Sequence, residues 1–334
     1  MDFDLYFQRI LAADVSRFAL NTPLDYLATI SNRFGCHVFS KREDLQPVHS
    51  FKIRGVSYKL AHLLNCKADG LLIAPSTGNH AVGVSYCAKK LGYEVVVVMP
   101  QHTPQIKIET ASKLCKEVVI SGDNCQQSCQ AAESLAAQIG AVLVHPYDDP
   151  DIIIGHATMA REIVAQLNYQ PIRAIFVPIG GGALISSVAL YVKKVMPKTK
   201  IIGVQYTGCD GMRLSLRAGK VIVHKPLSSF ASAIATEKVG EEPFRICREL
   251  VDDVMVVGHK AVIAAIEDFY CHCRVVLEPA GAISLAALKE WCAANSYSSA
   301  DIMVTLACGA NADLSSLFSS RNTSQILQDV CTSE

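Results

Sequence analysis

Short apolar runs separated by amphipathic stretches recur along nearly the whole chain, and this alternation constrains the fold more than any other feature. The runs are His37–Ser40, Leu71–Ala74, Val95–Met99, Val118–Ser121, Ala141–His145, Ala174–Pro178, Ile201–Gln205 and Ile302–Leu306. Between them stand stretches of helical periodicity, among them Asn124–Ile139, Asp151–Leu167 and His259–Tyr270. A strand apolar on both faces must be covered on both, and the intervening helices supply the cover. The pattern therefore predicts an α/β fold of mostly parallel sheets flanked by helices. At 334 residues, half of them apolar, the chain exceeds what one compact core usually serves, and two lobes are expected. No repeat, low-complexity segment or long linker interrupts the pattern, so the boundary must be a chain crossover, near Gly55 and near Pro146–Pro150. Residues 1–55 and 147–334 are read as a large, discontinuous lobe and 56–146 as a small one.

Composition removes several classes of function. Lys+Arg and Asp+Glu both number 31, with no basic stripe for nucleic acid and no block of like charge. The opening MDFDLYFQRI is acidic and broken by charges, unlike a secretory or transit segment, and runs such as Ile175–Ile179 are far too short to span a bilayer. A soluble cytoplasmic protein is expected, with no nucleic-acid or membrane partner. The 13 cysteines read as reduced thiols packed as small hydrophobes. Cys271-His272-Cys273 lacks the C-x₂₋₄-C spacing and a second ligand pair, so no metal is assigned there.

In sheets of this kind ligands bind beyond the carboxyl ends of strands, where loops feed helix N-termini. Three exits carry unusual residues: Ala74-Pro75-Ser76-Thr77-Gly78-Asn79-His80, Pro178-Ile179-Gly180-Gly181-Gly182-Ala183, and Leu306-Ala307-Cys308-Gly309-Ala310-Asn311. Consecutive glycines let backbone N–H groups converge ahead of the helix Leu184–Val195, forming a phosphate cradle or simply a tight turn. Ser76 to His80 gather hydroxyls, an amide and N–H groups at the start of a helix, suited to a carboxylate or to plain capping by Ser76 or Thr77. Lys52 lies between Phe51 and Ile53, with Ser50 as a candidate helix cap. A lysine in an apolar cleft has the depressed pKa that Schiff-base chemistry needs, whereas most lysines near a helix start are simply solvated.

Taken in order, these segments resemble a known family. Lys41-Arg42-Glu43-Asp44-Leu45-Gln46-Pro47-Val48-His49-Ser50-Phe51-Lys52-Ile53-Arg54-Gly55 is similar to the lysine signature of threonine/serine dehydratases. These are two-lobed, fold-type-II pyridoxal-phosphate enzymes related to serine racemase and the tryptophan synthase β-subunit. The likeness continues through the S-x-G-N-H loop, Met99-Pro100, Thr103-Pro104, Lys107, the glycine loop and Val239-Gly240-Glu241-Glu242. It ends with Leu277-Glu278-Pro279-Ala280-Gly281-Ala282 and Cys308-Gly309-Ala310-Asn311, covering about Tyr6 to Leu317.

The resemblance implies pyridoxal 5'-phosphate as cofactor and elimination of water from L-threonine or L-serine, giving a 2-oxo acid and ammonia. It implies that Lys52 carries the cofactor and acts as the base at Cα, and that Phe51 flanks the ring. Gly180, Gly181, Gly182, Ala183 and Leu184 would bind the phosphate, Asn79 the phenolic oxygen, and Cys308 would face the pyridine nitrogen. Ser76, Thr77, Gly78, Asn79 and His80 would surround the substrate carboxylate. A homo-oligomer, dimer or tetramer, is expected.

Several positions depart from the family pattern. Ala183 replaces a fourth glycine, Thr77 an alanine, Val82 a glutamine, and His156-Ala157 a Gln-Gly; Ser232-Ala233 stand for Asp-Gly, and Cys308 for serine. Cys308 and Ala233 point to the serine dehydratase branch. Thr77 keeps racemisation or β-replacement open, and a catalytically silent cofactor binder is the third reading. Serine racemase relatives hold a divalent cation near the segment matching Gly203–Gly211. Gln205 stands where a Glu is expected, which predicts no magnesium requirement. Only a short polar tail follows Leu317, so a C-terminal regulatory domain is not expected.

Overall fold

The computed structural model describes residues 1–65, 70–76, 78–103, 105–228, 230–313 and 317. Ten strands occur among them: β1 (Leu24–Tyr26), β2 (His37–Arg42), β3 (Leu71–Pro75), β4 (Glu94–Met99), β5 (Glu117–Ile120), β6 (Val142–Leu143), β7 (Ile172–Pro178), β8 (Lys200–Tyr206), β9 (Asp253–Val257) and β10 (Ile302–Ala307). The helices are α1 (Phe3–Ala12), α2 (Ala28–Phe34), α3 (Lys52–Asn65), α4 (Asn79–Leu91), α5 (Gln105–Ser112), α6 (Cys125–Ile139), α7 (Pro150–Gln166), α8 (Ala183–Val195), α9 (Gly211–Ala218), α10 (Glu241–Leu250), α11 (His259–Cys273) and α12 (Pro279–Ala294).

The strands form two sheets. One has six strands in the order β1-β2-β10-β7-β8-β9, parallel except for the antiparallel pair β1–β2. The other has four parallel strands, β5-β4-β3-β6. Every run singled out in the sequence coincides at least in part with one of these strands. The Ala141–His145 run contributes only Val142–Leu143, while β1 and β9 are additional.

Central strands are buried on both faces, as doubly covered parallel strands must be: all six residues of β10 are buried, and six of seven in β7. Helices α2, α11 and α12 join the apolar cluster on one face of the six-stranded sheet; α1, α7 and α8 join that on the other. Helix α12 is apolar almost all round, with twelve of its residues buried, so it is an internal helix and not an amphipathic cover. Helices α3 and α7 cross backbone to backbone. A Cβ on Gly155 would lie 2.5 Å from the Arg54 carbonyl oxygen, so that crossing admits no side chain there. Among the described residues no helix is long and apolar enough to cross a membrane.

Candidate active site

Strand order brings the chemistry-bearing exits together. β2, β10 and β7 are adjacent and parallel, so their carboxyl ends open on one edge. After β2 the chain turns through His49, whose φ is +53°, and runs beside the exit of β10: Phe51 N–H donates to Cys308 O at 3.2 Å and Ala310 N–H to His49 O at 2.9 Å. This pairing delivers Lys52, the first residue of α3, next to Cys308. Ser50 is not the N-cap of α3 but precedes it by one residue, and its hydroxyl accepts the Lys52 N–H at 3.4 Å.

Lys52 is partly buried, and its ammonium donates to Pro146 O at 2.9 Å, 5.4 Å from the Phe51 ring centroid. Desolvation pulls its pKa down to about 8, against the opposing pull of Cys308 and Glu278. Phe51 meets His156 edge-on at 4.8 Å, and His156 Nδ1 accepts the Gly55 N–H at 3.1 Å, supporting the first turn of the helix that carries Lys52.

The glycine run leaves β7 and enters α8. Three observations set its shape. Gly182 has φ +103°, a conformation that favours glycine. A Cβ on Gly181 would stand 2.1 Å from the Tyr147 ring, and Gly240 N–H locks the loop by donating to Gly181 O at 3.0 Å. The N-cap of α8 makes no side-chain hydrogen bond to the first turn, so backbone N–H groups there are open to an anion. Ala183 begins the helix and is not among the positive-φ residues, which is why a side chain is tolerated where the family pattern has glycine.

Across the cleft, β3 feeds α4. Its N-cap is Gly78 and not Ser76, and again no side chain caps the turn; the Ser76 hydroxyl accepts the Gly78 N–H at 3.1 Å. Thr77 lies outside the described residues. His80 is buried and its Nε2 bonds Val144 O at 2.8 Å. Since a carbonyl only accepts, Nε2 carries the proton and Nδ1 is a bare acceptor, without a partner among the described residues. Burial and the nearby Lys52 charge push its pKa down to about 3, so the ring is neutral. A bare, neutral nitrogen cannot donate to a carboxylate; what His80 can bind through Nδ1 is an N–H or O–H group.

Cys308 is buried, its thiol donating to Ala280 O at 3.4 Å, with its pKa raised by burial and then by Glu278. It stays a neutral thiol. Asn79 is engaged on both ends: its Nδ2 donates to Glu278 Oε1 at 2.6 Å and its Oδ1 accepts from Asn311 Nδ2 at 2.7 Å. The sequence assigns no role to Glu278, although it lies in the Leu277–Ala282 segment that carries the family resemblance. Burial pushes its carboxyl up to about 7.

These residues fit a pyridoxal phosphate group. A desolvated amine, a side-chain-free loop opening on uncapped N–H groups, and a buried neutral thiol lie at neighbouring strand exits. Polar side chains of the segment Gly203–Gly211 have protein partners: Gln205 Nε2 donates to Cys209 O at 3.2 Å, and Asp210 pairs with Arg213 just beyond the segment at 2.5 Å. Cys271, His272 and Cys273 close α11, with His272 bonded to Tyr26 O at 3.3 Å. Among the described residues no group of three or more His, Cys, Asp or Glu could hold a metal ion.

Residues 15–309 match the family model described as "Pyridoxal-phosphate dependent enzyme". The chain is 42% identical to threonine dehydratase 1 biosynthetic, chloroplastic, of Solanum lycopersicum over 86% of this chain and 47% of that protein. It spans about half the length of the curated relatives it matches first. The processed form of threonine deaminase isoform 2 from Solanum lycopersicum superposes with a TM-score of 0.90 at 36% identity, over 97% of this chain and 88% of that one. Maize serine racemase gives 0.84 at 30% identity, over 98% and 99%.

Proposed function

Because the chain belongs to the family of pyridoxal-phosphate dependent enzymes and is similar to its threonine dehydratases over nearly its whole length, we propose that it eliminates water from L-threonine or L-serine, yielding a 2-oxo acid and ammonia. The observation that carries the reading is Lys52, a desolvated lysine at the meeting of the β2 and β10 exits.

Lys52 would hold the cofactor. Gly180, Gly181, Gly182, Ala183 and Leu184 would bind its phosphate through N–H groups at the start of α8, with Phe51 beside the ring, Asn79 at the phenolic oxygen and Cys308 at the pyridine nitrogen. Bound there, the cofactor supplies a sink for the electron pair left at Cα when its proton departs. The neutral Cys308 thiol is a weak partner for the ring nitrogen. Such a pairing would leave the ring a weaker electron sink and so suit elimination of the β-hydroxyl.

The substrate carboxylate would sit on the N–H groups at the start of α4, with the Ser76 hydroxyl beside it and Thr77 within the same loop. His80, a bare acceptor, would orient a donor group of the substrate or of Lys52. With a pKa near 8, roughly a tenth of Lys52 amines are unprotonated at neutral pH, against about one in three thousand for an unperturbed lysine. Lys52 is thereby equipped to take the Cα proton. The hydroxyl would leave as water on taking up a proton, for which the one Lys52 removed from Cα suffices, and the resulting enamine would hydrolyse to the 2-oxo acid and ammonia. The two sheets would serve as the cores of two lobes, although the boundary read at Gly55 is not a turn: Gly55 lies inside α3 (Lys52–Asn65), which packs on α7.

The test is turnover of L-serine and L-threonine in deuterated solvent, following 2-oxo acid and product chirality together. Formation of 2-oxo acid from either substrate is expected. D-amino acid formed faster than 2-oxo acid would replace the lyase reading with racemisation, the reading that the likeness to maize serine racemase keeps in view.

A further inference from the structure

The Glu278 carboxyl has no task in the mechanism above, yet it stands in the cleft at a cost in desolvation. By position it is the N-cap of α12, but its side chain makes no hydrogen bond to that helix. It turns instead to Asn79, accepting from Nδ2 at 2.6 Å. The opposite end of the same amide is held too: Asn311 Nδ2 donates to Asn79 Oδ1 at 2.7 Å and to Val48 O at 3.0 Å, so Asn311 is itself fixed. Three residues from three separate segments, the exits of β3 and β10 and the loop before α12, thus form one hydrogen-bonded chain. Asn79 belongs to the element that follows the four-stranded sheet, while Glu278 and Asn311 belong to those of the six-stranded sheet.

The geometry decides which way the Asn79 amide faces. Turned over, it would set its NH₂ against the Asn311 NH₂, which Val48 O holds as a donor, and, when Glu278 is ionised, its oxygen against a carboxylate oxygen as well. With Oδ1 engaged and one N–H on Glu278, the second N–H is what remains to offer. We propose that Glu278 is a positioning residue that, together with Asn311, locks the Asn79 amide so that it presents a donor, and never an acceptor, to the cofactor.

The surroundings agree. A Cβ on Gly309 would lie 2.1 Å from Glu278 Oε1 and 3.3 Å from Asn79 Nδ2, so the chain keeps the space beside this pair clear of a side chain. The carboxyl is shifted upward by burial first, while its bond to Asn79 and the charges of Lys107 and Lys52 pull the other way. This inference rests on the cofactor reading above, because the phenolic oxygen is the acceptor it assigns to Asn79.

The experiment is titration of the cofactor-free protein with pyridoxal phosphate, reading Kd and the absorbance spectrum of the bound form, with circular dichroism to show that each variant is folded. Glu278→Ala is expected to weaken Kd by about tenfold, one good hydrogen bond's worth, and to shift the balance between the absorbing forms. Glu278→Gln, whose amide oxygen still accepts from Asn79, should recover Kd to within about threefold of the parent. It should also remove the carboxyl's contribution to the pH dependence of the spectrum between roughly pH 5 and 8. Asn311→Ala, which frees the other end of the amide, should weaken Kd in the same direction, and it carries the test if Glu278→Ala does not fold. Parent-like Kd and spectrum in the folded Glu278→Ala or Asn311→Ala protein would overturn the proposal, as would Glu278→Gln losing as much affinity as Glu278→Ala. A parent that takes up no cofactor removes the cofactor reading and this inference with it. A parent that loads normally beside an unaffected Glu278→Ala removes only the inference.

Discussion

Replacing Arg54 by methionine should destabilise the protein without touching the cleft. Arg54 and Glu43 are both fully buried, joined by two bonds of 2.7 Å. The same guanidinium reaches Glu162 at 2.6 and 2.7 Å, and Glu162 also pairs with the buried Lys41 at 2.6 Å. Methionine fills similar volume but leaves Glu43, among the described residues, with the Thr22 hydroxyl and the Gln46 amide as hydrogen-bond donors. Removing one partner of a buried pair costs about 3–5 kcal/mol. With an unfolding entropy of about 2.1 cal/mol/K per residue, near 0.7 kcal/mol/K for this chain, that is a fall in Tm of roughly 4–7 °C. Burial alone would raise the Glu43 carboxyl, but Arg54, with the Thr22 hydroxyl and the Lys41 charge, holds the group below its ordinary 4.5. Its stabilisation is therefore present above about pH 4.5 and lost as pH falls through the lower, folded-state value. The Tm difference between parent and variant, read by calorimetry, should be largest at neutral pH and shrink on acidification. A double change, Arg54→Met with Glu43→Leu, should recover part of the loss. A deficit below about 1 kcal/mol at neutral pH, or one independent of pH, would refute the reasoning.

Two further outcomes follow from the cleft. Gly181→Ala sets a methyl 2.1 Å from the Tyr147 ring, and the displaced ring and loop should weaken cofactor affinity by at least about tenfold while costing stability only about 1–3 kcal/mol; titration of the cofactor-free protein checks both. In that cofactor-free protein, acylation of Lys52 followed by mass spectrometry should rise with pH about a midpoint near 8, and an unperturbed midpoint near 10.5 would show that the amine is not desolvated.

The central architecture was legible because doubly buried strands must be apolar along their length, and β4, β7, β8 and β10 are. The misreadings lie at sheet edges. β1 and β9 flank the six-stranded sheet and β6 flanks the four-stranded one. An edge strand has one hydrogen-bonded neighbour and partial cover, and β1, a three-residue stretch containing Asp25, has a correspondingly weak apolar pattern; β9, with four apolar residues in five, does not, and its pattern was there to be read. Within the site, the glycine run and Cys308 stood out because each follows a strand in the sequence, and Lys52 because of its apolar neighbours Phe51 and Ile53 and the family signature around it. Glu278 did not, since its partners Asn79 and Asn311 are brought to it only by the meeting of the two sheets. The bare Nδ1 of His80 was equally invisible, because the carbonyl that fixes its tautomer lies 64 residues away at Val144.

The claim on which the rest depends is that Lys52 carries the cofactor. Borohydride reduction of the protein loaded with pyridoxal phosphate, followed by peptide mass mapping, addresses it directly. The account predicts loss of the violet absorbance and one pyridoxyl-bearing peptide, with the modification on Lys52, while Lys52→Ala shows neither the absorbance nor turnover. The label found on another lysine, or full turnover in Lys52→Ala, would contradict it.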